Sequence, residues 1–341
     1  MMRRRPLTRA SGLIMVAAAA AISACTQGAE PSGPPSASAT SQASVQLPTT
    51  VQITGDPYGV AATMDGSRVY VANLNSDSVS VIDTGRNSVI ADIPGDHRPL
   101  AVAPSPDGRR VYVTNQGSNT VSVIDGSTNT VSATIPVGEG PTGIAVTPDG
   151  SQVYVANQEG RSISIIDTSS NSVTTTISDE SSAFRLLPSD IAITPDGGHA
   201  YVSSRDLNAV AVIPIGSETI ESMISVGDGA HHIAITPDGS RAYVTNEKSN
   251  TISVIDTKKG RVSTTIKVGK QPIDVAISHD GSQVIVAHLG ESPLYVIDTA
   301  TDTVASTVPI PTGSESLAAT PDRRIYVAGY FVDLVYVFEL S

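Results

Sequence analysis

The sequence is short of the residues that usually fill or staple a core. Its 341 residues include one cysteine, no tryptophan and three phenylalanines, with 4% aromatic residues in all. A single cysteine excludes an internal disulfide, a cysteine-based zinc site and a CxxCH haem attachment. The absence of tryptophan weakens any quinone-cofactor reading that rests on tryptophan platforms. Basic residues are also scarce: 21 Lys and Arg stand against 33 Asp and Glu, a formal net charge of −12. A field of that sign repels phosphate backbones and anionic headgroups, so nucleic acid is not an expected partner. What the chain does have is 28 Gly and 22 Pro. Such turn-rich composition suits an all-β repeat of short strands and not a helical bundle.

The N-terminus reads as an export signal. Arg3, Arg4, Arg5 and Arg9 form a basic start, Leu13 to Ile22 are ten mostly apolar residues, and Ser23-Ala24-Cys25 is a small-residue junction. The apolar stretch falls short of the roughly twenty residues that span a bilayer. The lone cysteine sits at the junction, and Ile22-Ser23-Ala24-Cys25 resembles the bacterial lipobox, whose cysteine carries the lipid. Cys25 is the expected lipidation site, the bacterial cell membrane the expected partner through it, and an extracytoplasmic lipoprotein the expected product. Arg4-Arg5-Pro6-Leu7 resembles a twin-arginine signal only faintly, and the export route stays open. Removing the four signal arginines lowers the basic residues from 21 to 17 and takes the net charge to about −16. Residues 1–24 thus read as signal peptide, 25–49 as a disordered Ser/Pro/Ala-rich tether and 50–341 as the folded part.

The folded part repeats. Asp-Gly recurs at Asp65, Asp107, Asp149, Asp196, Asp238 and Asp280, with Asp322-Arg323 as the seventh counterpart, at intervals of 42, 42, 47, 42, 42 and 42 residues. Each unit reads as strand, Pro-Asp-Gly turn, strand, Asn/Ser turn, strand, Asp-Thr turn, strand. Four antiparallel strands repeated seven times predict a seven-bladed β-propeller. Segments such as Val153-Tyr154-Val155 and Val121-Ser122-Val123-Ile124 are apolar on both faces, as sheets sandwiched between neighbours require. An alanine stands four residues before each turn Asp, from Ala61 to Ala318, and reads as a packing residue. The last unit lacks a fourth strand, which Thr50–Gly55 should supply, closing the ring.

Tyr112-Val113-Thr114-Asn115 and Tyr243-Val244-Thr245-Asn246, with Tyr-Val-Ala-Asn at Tyr70 and Tyr154, resemble the YVTN-repeat β-propeller family. The resemblance implies a secreted or envelope-attached seven-bladed propeller, similar in shape to lactonases, quinoprotein subunits and the haem d1 domain of nitrite reductase. The motif departs to Tyr-Val-Ser-Ser at Tyr201, Ile-Val-Ala-His at Ile285 and Tyr-Val-Ala-Gly at Tyr326. Single-stranded nucleic-acid binding, also implied by the family, needs a basic groove with stacking aromatics, which this charge opposes.

Irregularity within a regular ring marks the candidate site. Loops leading into the inner strands and loops joining second to third strands share the face around the axial channel, where propellers usually bind ligands. On that rim the expected binding residues are Tyr58, Arg98, Asp190, His231 and His232, joined by Asp274, His288 and Glu315. Strand alternation would point only one of His231 and His232 inward. The five extra residues of the long interval carry Phe184, Arg185 and Leu186, a candidate lip over the channel. The third-strand aspartates Asp83, Asp125, Asp167, Asp256 and Asp298 read instead as turn caps. No local motif names a catalytic residue or a metal ligand, and no cofactor is expected, although the rim histidines and carboxylates leave a divalent metal open.

The leading expectation is a monomeric, non-enzymatic binding or scaffold module of the cell envelope, with a protein or envelope partner at the channel face. The alternative is a small-molecule hydrolase or lyase, lactonase-like and with metal assistance left open, using the same face.

Overall fold

The computed structural model describes residues 48–178, 186–290, 293–329 and 331–340. Among these, the regular elements are strands that form seven four-stranded antiparallel sheets. Cys25, the signal peptide and nearly all of the tether lie outside the described residues, as do Phe184 and Arg185. No helix among the described residues is long and apolar enough to cross a membrane.

The inner strands of blades 1 to 7 are Pro57–Ala62, Pro99–Pro104, Pro141–Val146, Pro188–Ile193, Ala230–Ile235, Pro272–Ile277 and Ser314–Ala319. Each packs against the inner strands of both neighbours, and blade 7 meets blade 1 to complete the ring. The closing strand is where the repeat count placed it. Thr49–Gln52 pairs antiparallel with Leu334–Glu339 and is the outermost strand of blade 7.

The core lies between blades. Second strands such as Arg68–Asn73 bury every residue after the first, while outer strands such as Ser88–Pro94 alternate exposed and half-buried positions up to a single buried residue, Ile93. Tyr70, Tyr112, Tyr154, Tyr243 and Tyr326 are the largest of the fully buried side chains. Each packs into an apolar cluster with the next blade; Tyr70, for example, meets Val102, Val111 and Val113. The repeated alanine is the cross-strand partner of this tyrosine, as in Ala61 with Tyr70 and Ala234 with Tyr243, so a small side chain faces a large one.

Polar stitches secure the face opposite the channel mouth. Arg68, Arg110, Arg241 and Arg324 open their second strands and donate to the carbonyls of Gly126, Thr168, Thr299 and Thr84 in the following blade. The Tyr243 hydroxyl donates to Asp302 Oδ1 at 2.8 Å and that of Tyr326 to Asn87 Oδ1 at 2.6 Å, again across a blade boundary. Pro-Asp-Gly turns close on their own aspartate: Asp65 Oδ1 accepts from the Thr63 hydroxyl at 2.6 Å and from the Ser67 N–H at 3.0 Å. The third-strand aspartates are turn caps, as at Asp125, whose Oδ1 accepts from the N–H groups of Ser127 and Thr128 at 2.8 and 3.0 Å.

Candidate functional site

Seven inner strands offer the same position to the channel: Gly59, Ala101, Gly143, Asp190, His232, Asp274 and Ser316 in blade order. Blades 1 to 3 keep it small because the strands approach too closely for a side chain. A Cβ on Gly59 would lie 2.1 Å from the Leu100 carbonyl oxygen, and one on Gly143 would lie 2.5 Å from Asp190 Cα. From blade 4 onward the position is polar and reaches across to the next blade. Asp190 Oδ2 accepts from the Ile233 N–H at 3.1 Å, Asp274 Oδ2 from the Leu317 N–H at 2.8 Å, and Ser316 Oγ from the Val60 N–H at 3.3 Å.

His232 stands between the two aspartates. Its Nδ1 is 2.9 Å from Asp274 Oδ1 and 3.5 Å from Asp190 Oδ2. Burial works against its charge, yet the carboxylates of Asp274 and Asp190 outweigh burial and push its pKa up to about 9. Asp274 feels the same burial, but the His232 charge and hydrogen bond hold it below the ordinary carboxylate value. Burial prevails at Asp190, whose pKa is raised in spite of His232.

His231 also lines the cavity, contrary to strict alternation. The ladder of blade 5 shifts register between Ala230 and Ile233, so the two imidazoles leave the strand on the same side. They stack with centroids 4.9 Å apart and planes 21° from parallel. His231 Nδ1 is 3.0 Å from the Ile273 carbonyl, to which it donates, leaving Nε2 as the acceptor. Burial, then the charge of His232, pushes its pKa down to about 3. At neutral pH one ring is therefore a fixed cation and its neighbour a neutral acceptor.

Around these groups lies a cavity of about 380 Å³ that also takes in Tyr58, Arg98, Arg205 and Glu315. Burial, with Asp56 and Asp274 nearby, raises the Glu315 carboxyl to about 7. Burial and the charge of Glu315 push the Tyr58 hydroxyl up to about 12. Arg205, one residue beyond the second strand of blade 4, pairs with Glu247 of blade 5. The corresponding residues of blades 1 to 3 are Leu74, Gln116 and Gln158, which line the same cavity. Sequence reasoning passed over this position; its signal was variability immediately after the repeated Asn.

The structure thus brings together Tyr58, Arg98, Asp190, His231, His232, Asp274 and Glu315. It does not bring His288 to them. The end of the second strand is not a rim position but a buried one, where Asn73, Asn115, Asn157 and Asn246 are fully covered. Each asparagine bridges two third-strand hydroxyls, as Asn73 Nδ2 does to Ser78 and Ser80 at 3.1 and 2.8 Å. In blade 6 those hydroxyl positions hold Pro293 and Tyr295, and His288 packs its ring against Tyr295 with centroids 4.9 Å apart. Burial pushes its pKa down to about 4. Leu186, from the expected lip, is turned inward between blades 3 and 4 beside Ile163, Ile191 and Val202. Among the described residues no group of three or more His, Cys, Asp or Glu is arranged to hold a metal ion.

Fold and site together define a seven-bladed β-propeller with an asymmetric polar cavity at one mouth of its channel. The chain is similar to two families: the YNCE-like beta-propeller model matches residues 35–195, and the lactonase, 7-bladed beta-propeller model matches residues 216–340. No curated protein matches. Among solved structures it resembles Kuenenia stuttgartiensis hydrazine synthase at 22% identity, covering 89% of this chain and 99% of that one with a TM-score of 0.75. It also resembles the Cps50 (Swd1) β-propeller domain of Myceliophteria thermophila at 13% identity, covering 87% and 99% of the two chains with the same TM-score of 0.75. At such identities the likeness is one of fold.

Proposed function

We propose that this chain is a YVTN-repeat lipoprotein of the bacterial cell envelope that binds a small polar ligand in the channel-face cavity. The observation that carries the reading is the row Asp190, His232, Asp274 on three successive inner strands. A repeat fold gains no packing from breaking its symmetry there, yet the row fixes a positive charge beside a cavity of ligand size. Neither histidine titrates near neutral pH, which suits recognition better than proton transfer. Cys25 at the signal junction supports the anchoring, and the Ser/Pro-rich stretch after it supports a tether.

The test is a thermal melt of the purified chain with the small-molecule fraction of cell envelopes, the retained ligand being identified by mass. Leu100→Trp, which fills the mouth of the cavity, should remove the shift. An equal shift in that variant, or none in the wild type, overturns the reading.

A second reading is favoured by one residue. Glu315, held at about 7, is poised as a general base or acid, with Arg205 as a cation in the same cavity. The lactonase match spans the blades that carry His231, His232, Asp274 and Glu315. As a hydrolase of lactones or esters the chain would lose turnover in Glu315→Gln while keeping its fold. Absence of turnover by the wild type across such substrates leaves the binding role alone.

A further inference from the structure

Resting on the binding role just proposed, the distribution of charge around the cavity narrows the ligand. Hydrogen-bond donors occupy one arc: Arg98 before the inner strand of blade 2, Gln116 and Gln158 beyond the second strands of blades 2 and 3, and Arg205 on blade 4. Acidic groups and an aromatic ring occupy the other: Asp274 on blade 6, Glu315 on blade 7 and Tyr58 on blade 1, with Asp56 outside the lining but close enough for its charge to raise Glu315. Most of the remaining charge between them is already engaged. His232 is held by both aspartates; Asp274 also accepts from the N–H groups of Val275 and Leu317, and Asp190 from that of Ile233. Two charged groups are not. Among the described residues neither the Arg98 guanidinium nor the Glu315 carboxyl has a hydrogen-bond partner; Arg98 is fixed through its backbone N–H, which donates to Asp77 Oδ1 at 2.8 Å. Arg205 uses Nη2 for Glu247, and other guanidinium N–H groups remain for a ligand.

We propose that the cavity takes a small zwitterion, with its ammonium at the pole formed by Glu315 and Tyr58 and its carboxylate at Arg98 and Arg205. Carboxylates beside an aromatic face are the usual surroundings of an ammonium group, and guanidinium with amide donors the usual surroundings of a carboxylate. The poles lie on separate arcs, so the two charges belong at opposite ends of a short flexible chain, as in an ω-amino acid or a short peptide with free termini. An incoming ammonium also relieves the repulsion that Asp56 and Asp274 exert on Glu315. It draws the Glu315 proton off, acting in the same direction as the charge of His232.

The experiment is titration calorimetry of the full chain at pH 7 with 6-aminohexanoate and with glycylglycine. Hexanoate, hexylamine, N-acetylglycylglycine and glycylglycine amide serve as single-charge controls. Binding by at least one zwitterion, weakened tenfold or more in its single-charge controls, is the expected result. Which of the two binds distinguishes the ω-amino acid from the peptide. Arg98→Gln, an exposed position with little risk to folding, should abolish the preference for a free carboxylate, and Glu315→Gln the preference for a free ammonium. Repeating the titration in two buffers of different ionisation enthalpy should show release of about half a proton in the wild type and none in Glu315→Gln. Equal affinity for the blocked analogues, or no binding by either zwitterion, overturns the proposal. If in that case glucose, glycerol or inorganic phosphate raises the melting temperature of the wild type and not of Leu100→Trp, the cavity's binding role stands and only the zwitterion is wrong. Silence of every probe counts against both.

Discussion

Asp274 Oδ1 lies 2.9 Å from His232 Nδ1, and the other oxygen of the same carboxylate holds the first apolar residue of the next inner strand. One side chain thus fixes the charge in the cavity and the spacing of blades 6 and 7. Removing one partner of a buried pair leaves the other uncompensated, so Asp274→Asn should cost about 3 kcal/mol. Urea unfolding at pH 6.5 checks this; a loss below about 1 kcal/mol would show that the pair is solvated and not structural.

The alkaline side of the stability profile follows from the same pair. The folded pKa of His232, about 9, lies above its unfolded value of about 6.5. Its contribution is therefore fully present below pH 6.5 and lost as pH rises through 9, an effect on the order of 3 kcal/mol. Glu315, raised to about 7, adds a loss in the same direction at lower pH, between about 4.5 and 7. Urea midpoints should fall from pH 6.5 to pH 9 in the wild type and stay nearly level in His232→Gln. A parallel fall in both proteins would remove His232 as the cause.

Blade 6 makes a prediction of a different kind. His288, Pro293 and Tyr295 replace the Asn, hydroxyl and hydroxyl of blades 1, 2, 3 and 5 as a set. Neither His288 ring nitrogen has a well-placed hydrogen-bond partner among the described residues, so His288→Asn trades one unpaired buried group for another and loses the ring's packing on Tyr295, a cost of about 1 kcal/mol. Adding Pro293→Thr and Tyr295→Ser should restore most of that loss, because the amide then finds the partners Asn246 has in Thr251 and Ser253 at 3.0 and 2.9 Å. Additive losses across the three substitutions, measured by urea unfolding, would mean that the positions are not coupled.

Much of this was legible in the chain because a repeat makes its exceptions visible. The period fixed blade number and turn chemistry, and Asp190, His232 and Asp274 stood out by occupying positions where blades 1 to 3 hold Gly or Ala. What escaped was set by local geometry. The register shift in blade 5 turned His231 toward the cavity with His232, which no alternation rule foretells. His288 looked like a rim residue because a strand end was equated with a loop mouth, whereas that last residue is paired and covered. The correcting signal was its joint change with Pro293 and Tyr295. Gln116, Gln158 and Arg205 were overlooked because a variable residue after a motif resembles ordinary loop sequence.

The lipid anchor is tested independently of the propeller. If Cys25 carries a diacylglycerol thioether, Cys25→Ala should shift the protein from the membrane pellet to the soluble or secreted fraction. Continued pelleting of the variant, after high salt to remove peripheral attachment, would overturn the lipoprotein reading.

Closure of the ring depends on a few residues of blade 7. Asp333 receives the incoming chain at four points: its carbonyl accepts from the Ile53 N–H at 2.9 Å and from Gln52 Nε2 at 2.7 Å, and its Oδ1 accepts from the N–H groups of Gly55 and Asp56 at 3.2 Å each. Beyond these bonds, Val51 and Ile53 bury their side chains in the cluster shared by blades 7 and 1. A chain beginning at residue 46 keeps every residue of this closure and should melt with the full-length protein. A chain beginning at residue 57 exposes the backbone edge of Leu334–Glu339 and the apolar floor beneath Val51 and Ile53, so it should melt lower and aggregate. Asp333→Ala removes only the side-chain part and should fall between the two, costing about 1 kcal/mol. Coincident melting curves for the chains beginning at 46 and 57 would show that the strand decorates the ring without closing it.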